Sequence, residues 1–117
     1  MSAGAKFSTW ECITRIGFFP NDCGDDGAEP EPEESAICRA WIRVHVEPTK
    51  AIQTRMGSYG WKHMVEDSAH ALGASLYVRN GSFIMAALAE GYRAVRYAGD
   101  DPNGFFNMRV RKPGSVT

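Results

Sequence analysis

Residues Phe83 to Ala89 read Phe-Ile-Met-Ala-Ala-Leu-Ala, an unbroken apolar run between Asn80-Gly81-Ser82 and Gly91. Wound into a helix, this run has no polar face, so it can only lie at the centre of the fold. Its flanks fit that reading. Asn80-Gly81-Ser82 opens a helix over Phe83 to Glu90, and Gly91 supplies a left-handed stop. The rest of the chain has to cover this helix. At 117 residues there is material for one domain, residues 1–117, but not for two cores. The 44% hydrophobic and 23% charged fractions are those of an ordinary globular protein and exclude wholesale disorder.

The covering elements are read from periodicity. Ser58 is placed as the N-cap of a helix reaching about Leu72 and closed by Gly73. Its apolar stripe is Trp61, Val65, Ala69 and Leu72, and Lys62, His63, Glu66, Asp67 and His70 go to solvent. Leu76-Tyr77-Val78 is a short extended step. Arg93 to Ala98 and Phe105 to Arg111 form a hairpin around Gly99-Asp100-Asp101-Pro102-Asn103-Gly104. Val95, Tyr97, Phe106, Met108 and Val110 are expected to face inward, and Arg96, Arg109 and Arg111 outward.

Ile37 to Val46 alternates strictly. Cys38, Ala40, Ile42, Val44 and Val46 fall on one side, and Arg39, Trp41, Arg43 and His45 on the other, as in a half-buried strand. Ser8-Thr9-Trp10-Glu11 has capping-box spacing and suggests a short helix with Trp10, Ile13 and Ile16 buried. A strand is the alternative there. The expected fold is α+β, a small antiparallel sheet of about three strands with two or three helices on one face.

Charge is uneven. Residues 1–38 hold two basic and eight acidic side chains, a net −6, and residues 39–117 hold eleven basic and six acidic, a net +5. Seven of the eight acids of residues 1–38 lie in residues 20–35, where Asp22, Asp25, Asp26, Glu29, Glu31, Glu33 and Glu34 alternate with Pro and Gly. That composition gives an extended acidic loop, either a plain connector or an arm for a basic partner. The basic surplus gathers on the expected outer sheet face as Arg39, Trp41, Arg43, His45, Arg96, Arg109 and Arg111. Guanidinium groups pair with phosphate or carboxylate, and an exposed Trp can anchor a partner. The plainer reading is an ordinary solvated sheet face.

Catalytic and metal signals are weak. His63, Glu66 and His70 share one helical face, but the two His are not four apart as in a zinc-protease helix. No nucleophile elbow and no glycine-rich phosphate loop is present, so neither enzyme nor cofactor is expected. Cys12, Cys23 and Cys38 are odd in number and widely spaced, which fits free thiols in a reducing cytoplasm. No apolar run is long enough to span a membrane. The helix–step–helix–hairpin order outlines a winged helix, but a recognition helix needs polar side chains, and Phe83 to Ala89 has none.

From residue 58 onward the chain resembles a group of short proteins carried by bacteriophages, prophages and plasmids. The resemblance rests on Ser58-Tyr59-Gly60, Lys62-His63, Glu66, Asn80-Gly81, Phe83-Ile84, Ala86-Ala87, Gly91-Tyr92, Pro102-Asn103 and Phe106-Asn107. Trp61 stands where a Leu-like residue is expected, and nothing in residues 1–35 contributes. These are mostly caps, stops and turns, so the resemblance implies shared fold before shared activity. It also implies a mobile-element setting, in which small non-catalytic proteins are often stoichiometric inhibitors of host defence, anti-CRISPR proteins among them. The partner implied is a bacterial protein or ribonucleoprotein complex. The alternative is a small nucleic-acid-binding protein that uses the basic face itself.

Overall fold

The computed structural model describes residues 13–14, 17–18, 31–96 and 103–112. The expectations for Trp10, Cys12, Ile16, Asp22, Cys23, Asp25, Asp26, Glu29 and Tyr97 lie outside these residues. The fold is α+β. Strands β1 (Ile13–Thr14) and β2 (Gly17–Phe18) pair as a short antiparallel ribbon, so this stretch takes the strand alternative rather than the capped helix. Helix α1 (Pro32–His45) leads directly into strand β3 (Val46–Gln53). Helices α2 (Ser58–Ala71) and α3 (Asn80–Ala89) follow, then strands β4 (Ala94–Arg96) and β5 (Gly104–Val110). The main sheet is antiparallel, ordered β3-β5-β4.

The expected strand at Ile37 to Val46 is instead helix α1, and the acidic loop ends at its first turn. Pro32 occupies a first helical position, where its missing N–H costs nothing. Glu33 and Glu34 sit at the positive end of the helix, and Arg43 and His45 at the negative end. Cys38 and Ile42 are buried four residues apart, and Val46 is buried four further on, so the apolar positions satisfy a helical period as well as an alternating one. Ala40 and Val44, which alternation sends inward, are exposed.

Helix α3 starts three residues before the expected position, and Asn80, Gly81 and Ser82 are themselves helical and buried. Phe83, Ile84, Ala86 and Ala87 are fully buried, as a helix without a polar face requires. Phe83 lies between the rings of Trp61, stacked at 6.1 Å, and Phe106, edge-on at 5.7 Å. Gly73 and Gly91 take φ of +87° and +94° as the expected left-handed stops. Beyond them the N–H groups of Ala74 and Tyr92 reach back to Ala69 O and Ala87 O, closing both helices in the same way.

Three further placements differ. Gly57, not Ser58, is the N-cap of α2, because the Ser58 hydroxyl is used across the core. It accepts the Gly104 N–H at 3.1 Å and bonds Asn103 Oδ1 at 3.2 Å. Leu72 lies past the end of α2 and is exposed, outside the buried stripe. In β4 it is Ala94, opposite Phe106, that faces the core, while Val95 faces the other way and Arg96 turns to the core side at the sheet's end. Among the described residues no helix is long and apolar enough to cross a membrane.

Candidate functional site

Because residues 32–45 are a helix, the expected basic sheet face does not exist as one surface. Its members fall into two groups. Arg39 and Arg43 lie one turn apart on α1 and converge on Glu90, just past α3. Their Nε atoms reach opposite oxygens of that carboxylate at 2.7 and 2.9 Å. Arg43 and Arg39 together hold the Glu90 carboxyl below its usual range against the opposing effect of burial. Arg109 and Arg111, outward-facing as expected, meet Glu47 on β3, with Arg109 at 2.6 Å and Arg111 at 4.0 Å. Tyr92 joins the groups. Burial raises its phenol pKa, Arg111 lowers it, and Glu90 and Glu47 raise it, so all three charges act on one side chain. The result is a ribbon of four arginines over two carboxylates, with a surplus of positive charge. Arg96 lies on β4, half-buried on the core side.

Trp41 is not a free anchor. It is half-buried, donates its indole N–H to Ser68 Oγ at 2.8 Å, and packs against Trp61 and His45. Its role is to join α1 to α2. The feature that alternation could not reveal lies beside it. Ile37, Ala40 and Val44 occur at i, i+3 and i+7, on the side of α1 turned away from Cys38 and Ile42. Ile37 is 44% exposed and Val44 65% exposed. The solvent side of this helix therefore carries an apolar ridge, with Arg39 and Arg43 along one flank and Trp41 and His45 along the other.

Glu31 is the N-cap of α1 and Glu33 and Glu34 lie in its first turn, and Glu34 is no solvated loop acid. It accepts the Arg79 N–H at 3.0 Å and the Ser82 hydroxyl at 2.9 Å, and it pairs with the Arg79 guanidinium. Glu66, expected in solvent, is buried with Lys62. Its carboxylate accepts the Val78 N–H at 2.8 Å, takes the Lys62 ammonium at 3.1 Å and contacts His63 Nδ1 at 2.9 Å. The Lys62 ammonium lies over the rings of Tyr59 and Tyr77 at 5.0 and 4.5 Å. Two carboxylates, one from α1 and one from α2, thus hold the N–H groups that lead into α3, which has no side-chain cap of its own. The sequence signal for this was the i, i+4 spacing of Lys62 and Glu66.

Cys38 is fully buried and free. Burial, reinforced by Glu34 and Glu66, raises its thiol pKa to about 12. Almost none is thiolate at neutral pH, so this sulfur is a packing atom and not a nucleophile. Iodoacetamide is expected to leave Cys38 unmodified in the folded protein and to alkylate it after denaturation. Peptide mass mapping checks this, and rapid native labelling would show that the packing of α1 on α3 is wrong.

Comparison with protein-family models, curated proteins and solved structures finds no match to this chain.

Proposed function

We propose that this chain is a non-catalytic, stoichiometric binding protein of a mobile element. It lays α1 into an apolar groove with an acidic rim on a bacterial defence complex and blocks it, as anti-CRISPR inhibitors do. The observation that carries the reading is the apolar ridge Ile37, Ala40 and Val44 on the solvent side of α1. Soluble helices normally turn such a stripe inward, and this one has already buried Cys38 and Ile42 on its other side. Helices that bind in grooves present anchors at this spacing, and Arg39 and Arg43 beside the ridge suit carboxylates at a groove edge. The mobile-element setting rests on the resemblance described above.

The ridge favours a protein partner over nucleic acid. Phosphate binding needs cations, and an apolar ridge adds nothing to it. Glu90 and Glu47 also offset half of the ribbon's positive charge.

The test is a double variant, Ile37→Asp with Val44→Asp. Both side chains are exposed, so the melting temperature is expected to stay within a few degrees of the parent. Truncated or charged hot-spot positions cost roughly 2 kcal/mol or more in binding. Loss of inhibition in a phage-restriction assay is therefore expected, together with loss of a nuclease-resistant complex in lysate pull-down. Full activity in the variant would sink the proposal. Capture that vanishes on nuclease treatment and falls steeply with salt would replace it with direct nucleic-acid binding.

A further inference from the structure

A half-open cavity of about 360 Å³ lies beside the start of α2, lined by Gln53, Arg55, Met56, Trp61 and residues 108–110 of β5. It lies between the turn that precedes α2 and the second half of β5. Its size is at the lower end of small-molecule sites, which run from about 300 to 1,000 Å³. Its walls are mostly apolar. Trp61 and Met108 form a buried floor, 3% and 0% exposed, so the apolar surface on offer is that of Met56, with its flexible, polarisable sulfur, and Val110.

Both charged lining residues are arginines, and no carboxylate lines the cavity. They are not equivalent. Arg109 is already neutralised by Glu47. Arg55 is exposed and has no ion-pair partner among the described residues. One unbalanced guanidinium beside an apolar cavity matches a single negative charge on a compact apolar body. We infer that this cavity is a binding site for a small hydrophobic carboxylate, with its ring or chain against Met56 and Val110, over the buried Trp61 and Met108, and its carboxylate on Arg55. This site does not depend on the α1 ridge.

A second feature shows how the wall is set. A Cβ on Gly60 would lie 2.6 Å from Met56 Cγ and 3.0 Å from Met56 Sδ. Met56 therefore rests against the bare glycine, and any side chain there would displace it and reshape the cavity.

The experiment titrates the full chain with 1-naphthoate and with the neutral 1-naphthalenemethanol, followed by amide chemical shifts. Saturable perturbation at Trp61 and Met108 is expected for both probes, with naphthoate the tighter. Arg55→Gln, at an exposed position that leaves the fold intact, is expected to weaken naphthoate about tenfold, or about 1.4 kcal/mol, and to leave the alcohol within about twofold. Gly60→Ala is expected to weaken both probes alike, since it alters the wall and not the charge. No saturable binding of naphthoate would overturn the assignment. So would equal loss of both probes in Arg55→Gln, or shifts centred away from Trp61 and Met108.

Discussion

Ile84→Asp is expected to unfold the domain at room temperature. Ile84 is fully buried on a helix whose neighbours Phe83, Ala86 and Ala87 are buried as well, so an aspartate there has no path to water. Lys62, the buried cation of α2, and Arg79, which precedes α3, are already committed to Glu66 and Glu34. An uncompensated buried carboxylate costs several kcal/mol even when it protonates, and a domain of this size has only about 5–15 kcal/mol in total. Urea denaturation followed by circular dichroism measures the effect. A midpoint like the parent's would mean that α3 is not the centre of the fold. Ile84→Val, which keeps the shape, should cost only about 0.5–1.5 kcal/mol.

The second large effect is expected at Glu66. Glu66→Ala strands a buried ammonium on Lys62 and leaves the Val78 N–H without its acceptor. Breaking a buried pair from one side typically costs about 3–5 kcal/mol. The double variant Lys62→Met, Glu66→Gln keeps an acceptor for Val78 and removes both charges, so it should recover most of that loss. If the double variant were as unstable as Glu66→Ala, the pair would not be what holds this region.

The same group gives the fold a pH dependence. Burial pushes the Glu66 carboxyl up. The Val78 N–H, Lys62 and His63 outweigh it, and the net pKa lies below the usual value near 4.5. A carboxyl with a depressed folded pKa contributes stability that is complete above its unfolded pKa and is lost as pH falls through the folded value. Stability should therefore decline on acidification below about pH 5, and the decline should be shallower in Glu66→Gln. Glu90 acts with the same sign, but its arginine partners are largely solvated, so its share should fade in high salt while that of Glu66 persists.

The elements that sequence located well are those where only one period fits. Phe83 to Ala89 cannot alternate, and the hairpin strands cannot make a helix across Pro102 and Gly104. Residues 37–46 fit both periods. Ile37, Ile42, Val44 and Val46 are β-branched, which favours a strand. The deciding signals lay outside that window, in Pro32 with Glu33 and Glu34 behind it, which mark a helix start. Assigning the wrong period moved Trp41 from a helix junction to an imagined open face and hid the ridge of Ile37 and Val44. Charged side chains are seldom buried unless paired, which favours solvent for Lys62 and Glu66. Their four-residue spacing allowed that pairing, but the burial depends on Tyr77 and Val78, which only the fold brings over them.

The order of the sheet also governs how the molecule can be made. β5 is the middle strand, yet it follows both of its neighbours along the chain. Until it leaves the ribosome, β3 and β4 have no hydrogen-bonded partner in this sheet, and β3 is the longer open edge. An unpaired edge is where chains join one another instead of folding. Pro48 in β3 has no N–H to offer and interrupts that edge at the time it is unprotected. That proline belongs to the nascent chain as much as to the finished protein, and it bears on yield and aggregation during synthesis more than on the stability of the folded state.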